Sequence, residues 1–326
     1  MNQTPIIQKL MPTNLEIEKR KWLFDHDYNP QFEYEEDVDD DDLTRHGEVS
    51  EEYVSTARYI LSKILKTWPD DEAYLSETEG SELTRAEVEQ GIKSYLVRHN
   101  LLNQVNIIYT SKTASRTSVK GNTLIIRQPV SYRAQGLQGM LEHEIGVHIL
   151  RRMNNDQQPW KGNRAQFDLH SYLETEEGLA VLHSNAIRGD KHLWFPALSY
   201  LAVYLAHRLS FSQLAKELQT YVTDAERLWS ICLKVKRGLK DTSMPGGFTK
   251  NQVYLAGTIE VLRWLKKNHY DARPLYVGKV STEDVQTALQ NSALSLEELA
   301  VPQLILNREW YKAQLEQIAR DNKLPL

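Results

Sequence analysis

The chain has 326 residues, 41% of them hydrophobic and 25% charged, a globular balance with length enough for one large core or two lobes. A formal net charge of -5 gives no electrostatic basis for broad nucleic-acid binding, and no apolar run reaches the length needed to span a membrane. The N-terminus has no basic stretch followed by an apolar core, and the single cysteine, Cys232, excludes an intrachain disulfide; the expectation is a cytoplasmic protein with neither nucleic acid nor membrane as partner.

Residues 1–50 read as a polar N-terminal segment, with a dense acidic run from Phe32 to Asp42. Residues 51–326 read as one folded domain whose last part, from about 190 to 326, is helical. From Glu51 to Thr67 an amphipathic helix is expected, with Tyr53, Ala57, Ile60, Leu61 and Ile64 on one face, stopped by Trp68-Pro69-Asp70. Thr84 and Glu87 form a capping box that opens a second helix with Val88, Ile92, Tyr95 and Leu96 inward. Residues 105–109 and 123–127 read as strands around a turn at Lys120-Gly121-Asn122. A helix over about 134–153 follows, then helices at 172–188, 196–208, 211–221, 224–236 and 251–268. The fold class is therefore α+β: mainly helical, with a small antiparallel sheet before the helix at 134–153, an arrangement like that of zinc peptidases.

That helix carries the motif on which a function can be built, His143-Glu144-Ile145-Gly146-Val147-His148. Neutral imidazole is a good zinc ligand, and a carboxylate beside a ligand pair can take a proton from water on the metal. Histidines five apart on a regular helix point roughly 140° away from each other. They converge only if the helix is locally widened, so a π-type turn is expected near Gly146, the residue that resists such distortion least. A catalytic zinc site takes three protein ligands and keeps one position open. The third is sought in Glu174-Thr175-Glu176-Glu177, where period and spacing do not say which glutamate turns inward.

These segments resemble the tubulin tyrosine carboxypeptidase family, the microtubule-associated metallo-carboxypeptidases, bacterial-type members included. The resemblance is carried by the His143–His148 motif, Asn154-Asn155, Gln157-Gln158-Pro159-Trp160 and Thr175-Glu176-Glu177-Gly178-Leu179-Ala180. Further along it continues in Lys236-Arg237-Gly238, Asp241-Thr242-Ser243, Pro245-Gly246, Phe248-Thr249-Lys250, Gln252-Val253-Tyr254-Leu255 and Gly278-Lys279-Val280. The resemblance implies Zn2+ held by His143, His148 and Glu177, with Glu144 as the catalytic carboxylate. It implies release of a C-terminal tyrosine or phenylalanine from a protein or peptide tail such as that of tubulin. In a cell without tubulin the same chemistry would act on another polypeptide C-terminus.

A carboxypeptidase also needs a cation for the terminal carboxylate, which arginine can grip with both arms of its fork. Arg151, Lys236 and Arg237 are the candidates, and Lys250 is a weaker one. His170 and Tyr254 are candidate donors to the developing oxyanion. Trp160 and Phe248 are candidate walls for an aromatic side chain. The competing readings are a non-catalytic interaction protein that retains the fold, and a metal-dependent amide hydrolase of small molecules.

Overall fold

A computed structural model of the chain describes residues 6–111 and 115–326. Contacts divide it into two discontinuous units, Met1–Tyr74 with Leu193–Leu255, and Leu75–His192 with Ala256–Leu326.

The first unit is built on helices. Val54–Thr67 buries Ala57, Ile60, Leu61 and Ile64, the face its periodicity predicts, against Trp194–Ala206. The latter helix is apolar almost all round, and nearly every residue of it is buried. Ser210 and Gln213 form a capping box that starts Phe211–Leu218, and Asp224 caps Ala225–Lys236. Trp22 and Phe32, from the polar N-terminal segment, pack their rings against Phe211 and Trp229. In the acidic run, Asp39 and Asp42 close a capping box on the short helix Asp40–Thr44.

The second unit holds the sheet and the motif helix. Arg85–Arg98 starts at the expected Thr84/Glu87 box and buries Val88, Ile92, Tyr95 and Leu96. Three strands follow: β1 (Asn106–Thr110), β2 (Thr117–Lys120) and β3 (Thr123–Arg127), in the order β1-β3-β2. β2 and β3 are antiparallel, but β1 and β3 run parallel, so the sheet is mixed and not the antiparallel one expected. The physical reason lies in the connections. The turn at Gly121-Asn122 is long enough only to join neighbouring antiparallel strands, and it joins β2 to β3. Thr117–Lys120 shows too little hydrophobic alternation to be read as a strand in advance, and inserting it turns β1 and β3 the same way.

The motif helix runs from Ala134 to Asn155 with one interruption, and helix Leu173–Ala186 packs along it. Helix Arg308–Asn322 packs on Leu173–Ala186 in turn. Among the described residues, no helix is long and apolar enough to cross a membrane.

Candidate metal centre

The interruption is a π turn over Glu144–Ile149, where the histidine spacing requires it. The Leu150 amide reaches back five residues to the Ile145 carbonyl. The His143 and His148 rings consequently lie together, with centroids 4.9 Å apart. Gly146 also leaves space for the ends of two neighbouring side chains. A Cβ there would fall 2.7 Å from Glu142 Oε2 and 3.1 Å from the Tyr95 hydroxyl.

Helix Leu173–Ala186 brings the third group. Its approach to the following segment of the unit depends on two glycines. A Cβ on Gly178 would lie 2.1 Å from the Gly257 carbonyl carbon, and one on Gly257 would lie 2.1 Å from the Glu174 oxygen. With backbone against backbone, Glu177 is buried and aims Oε2 at both rings, 3.5 Å from His143 Nε2 and 3.6 Å from His148 Nε2. Among the described residues these three side chains form a group whose ligand atoms all lie within 4.8 Å of one another. A tetrahedral ion with bonds near 2.1 Å would space its ligand atoms by about 3.4 Å, so the N, N, O set fits zinc in spacing and in chemistry.

Glu176, next to Glu177, takes the other side of His148. Its Oε1 lies 2.8 Å from His148 Nδ1 and also bonds the Lys279 ammonium, while Oε2 is 3.3 Å from Arg151 Nη1. Burial pushes the Glu176 carboxyl up, but His148, Lys279 and Arg151 outweigh it and hold the group down at about 2. Burial disfavours a charged His148, and the carboxylates of Glu176 and Glu177 reverse that and raise its pKa. A carboxylate on Nδ1 fixes the tautomer that leaves Nε2 bare for a metal. Glu144 opens the π turn, and β2 packs against that turn. Tyr132 is raised first by burial, and the Glu144 charge adds to the shift.

The remaining candidates are distributed differently. Arg151 is fully buried, donating to Glu176, to the Leu275 oxygen at 2.8 Å and to the Val280 oxygen at 2.7 Å. Its charge is spent inside the protein, behind His148. Lys236, Arg237 and Tyr254 belong to the first unit. Lys236 is fully buried, and its ammonium donates to the carbonyls of Ala206, Leu209 and Met244; burial lowers its pKa to about 8. Arg237 is buried over the Phe248 ring, and burial brings it down to about 10. Tyr254 is half-buried beside Phe195, and both Trp160 and Phe248 are core residues. His170 is exposed; Asp284 accepts from its backbone amide at 2.8 Å and lies 2.7 Å from its Nδ1, which raises its pKa. Reading the sequence did not single out Glu176 or Lys279 for a role. The adjacent acids Glu176-Glu177 and the Gly278-Lys279-Val280 segment were the available signals, without a face attached to either.

A family model described as microtubule-associated tyrosine carboxypeptidase matches residues 42–319. Microtubule-associated tyrosine carboxypeptidase 1 of Homo sapiens is 36% identical over 324 residues, 97% of this chain and 68% of its own. The Rattus norvegicus protein of the same name is 34% identical over 331 residues, 99% of this chain and 70% of its own. The MATCAP2 protein of Mus musculus is 35% identical over 325 residues, and the chain spans 62% of that relative's length.

Proposed function

Because the chain belongs to the microtubule-associated tyrosine carboxypeptidase family, we propose that it is a zinc-dependent carboxypeptidase releasing a C-terminal tyrosine or phenylalanine from a polypeptide tail such as that of tubulin. The observation that carries the proposal is the convergence of His143, His148 and Glu177, with Glu144 on the same π turn. A closed structural zinc site would use a fourth protein ligand, whereas three leave a position open for chemistry.

His143, His148 and Glu177 would hold the ion. When bound, zinc supplies Lewis acidity for the scissile carbonyl and makes water easier to deprotonate. Glu144 accepts the proton of the attacking water and returns it to the leaving amine. Glu176 keeps His148 in its Nδ1–H form, and Arg151 and Lys279 keep Glu176 ionised. β2 ends the sheet order beside the π turn, and an extended substrate tail can add to it as a further strand. His170, paired with the buried carboxylate of Asp284, is the candidate among those in the second unit that keeps its ring in solvent.

The test measures zinc per chain and release of tyrosine from peptides ending in tyrosine. Wild type is expected to carry one zinc, His148→Ala to lose it, and Glu144→Gln to keep it while losing turnover. Wild type that takes up no zinc would overturn the metal centre. Zinc-loaded wild type that spares free C-termini, or cleaves amidated ones equally fast, would overturn the carboxypeptidase assignment.

A further inference from the structure

The π turn rearranges the hydrogen bonding around Gly146. In an α-helix the Leu150 amide would donate to the Gly146 carbonyl, but here it goes to Ile145 and Val147. A buried carbonyl needs a partner, and the one Gly146 receives comes from far along the chain. The Tyr276 hydroxyl lies 2.8 Å from the Gly146 oxygen. We propose that Tyr276 is a positioning residue of the metal centre, pinning the π turn and hence the offset between His143 and His148; this rests on the metal-binding reading above.

With a neutral His183 ring, the protons of the surrounding chain take one order. A carbonyl oxygen cannot donate, so the single Tyr276 hydroxyl proton points to Gly146. The Tyr276 oxygen is also 3.2 Å from His183 Nδ1, so that nitrogen carries a proton and donates it. His183 Nε2 is then bare and accepts from the Tyr311 hydroxyl at 2.9 Å. Tyr276, His183 and Tyr311 are all fully buried. Burial also drops His183 to about 3, in keeping with a neutral ring. One ordered run of hydrogen bonds thus leads from helix Arg308–Asn322, through helix Leu173–Ala186, to the carbonyl that the Leu150 amide passes over.

Two readouts test this. In metal-free wild type, nitrogen NMR of labelled histidine should show His183 protonated at Nδ1 and bare at Nε2. The opposite tautomer, or an imidazolium, overturns the chain of donors whether or not the protein binds metal. In Tyr276→Phe the ring stays and the hydroxyl goes; zinc affinity by chelator competition should fall about tenfold, and the visible band of the cobalt-loaded protein should move. Tyr311→Phe removes the far end, leaves the Tyr276–Gly146 bond, and should keep affinity within about twofold of wild type with an unmoved band. Tyr276→Phe with wild-type affinity and an unmoved band refutes the positioning role, as do equal losses in both variants. If Tyr276→Phe does not fold, the opposite His183 tautomer still overturns the donation to Gly146 on which the positioning role depends. If wild type takes up neither zinc nor cobalt, the metal reading and the positioning role fall together, and a Nδ1–H His183 would leave only the hydrogen-bonded run standing.

Discussion

Glu176→Gln changes no volume and removes one charge, which makes it the sharpest probe of the support behind His148. The carboxylate faces donors on both oxygens: His148 and Lys279 on Oε1, Arg151 on Oε2. A glutamine offers one oxygen and one NH2. In either orientation the NH2 meets a donor, so at least one contact becomes repulsive; with the oxygen kept on His148 and Lys279, the fully buried Arg151 retains only its backbone carbonyl partners. Breaking a buried ion pair from one side costs about 3–5 kcal/mol. The titration gives a second route to the same quantity. Holding a carboxyl at about 2, against its usual 4.5, corresponds to roughly 3 kcal/mol of stability in the metal-free protein. A depressed carboxyl contributes fully above pH 4.5, and that contribution is lost as pH falls through about 2. Denaturant unfolding of metal-free wild type and variant at neutral pH should therefore differ by about 3 kcal/mol, and the gap should narrow steadily below the ordinary glutamate pKa. Zinc affinity should also drop, by about 10- to 100-fold. A stability change under about 0.5 kcal/mol, or a gap that does not vary with pH, would refute the reasoning, since both estimates rest on a charge that would then be doing nothing.

Gly178→Ala should destabilise the protein by about 3 kcal/mol or more, because its Cβ would meet the Gly257 backbone at 2.1 Å and backbone cannot yield as a flexible side chain does. Glu177 is carried with the displaced helix, so zinc affinity should fall in the same variant; a melting temperature and zinc content equal to wild type would sink this account. Lys236→Met should cost about 2 kcal/mol by leaving the carbonyls of Ala206, Leu209 and Met244 short of a donor, partly offset by no longer burying an ammonium. Among variants that remain folded KM should be unaltered, and a raised KM with undiminished stability would instead assign Lys236 to substrate.

How much of this was legible in advance depends on how far apart the cooperating residues lie. Histidines at 143 and 148 can share an ion only across a widened turn, a requirement of backbone geometry alone, and the turn is found at Glu144–Ile149. The capping box at Thr84 and Glu87 and the buried stripe from Ala57 to Ile64 were equally plain, because both depend on neighbours within a turn or two of helix. The pairing of β1 with β3 was not, since it depends on where a third strand inserts and on the return path of the chain. Nor could periodicity separate Glu176 from Glu177. Adjacent residues on a helix point about 100° apart, and which of them faces the histidine pair is decided by what stands opposite. Lys279 and Arg151 draw Glu176 behind His148, and Glu177 is left facing the two imidazoles. Arg151 and Lys236 looked like free cations in a linear reading. Burial made them internal, because each sits where carbonyl oxygens from remote segments needed a donor that water could not reach.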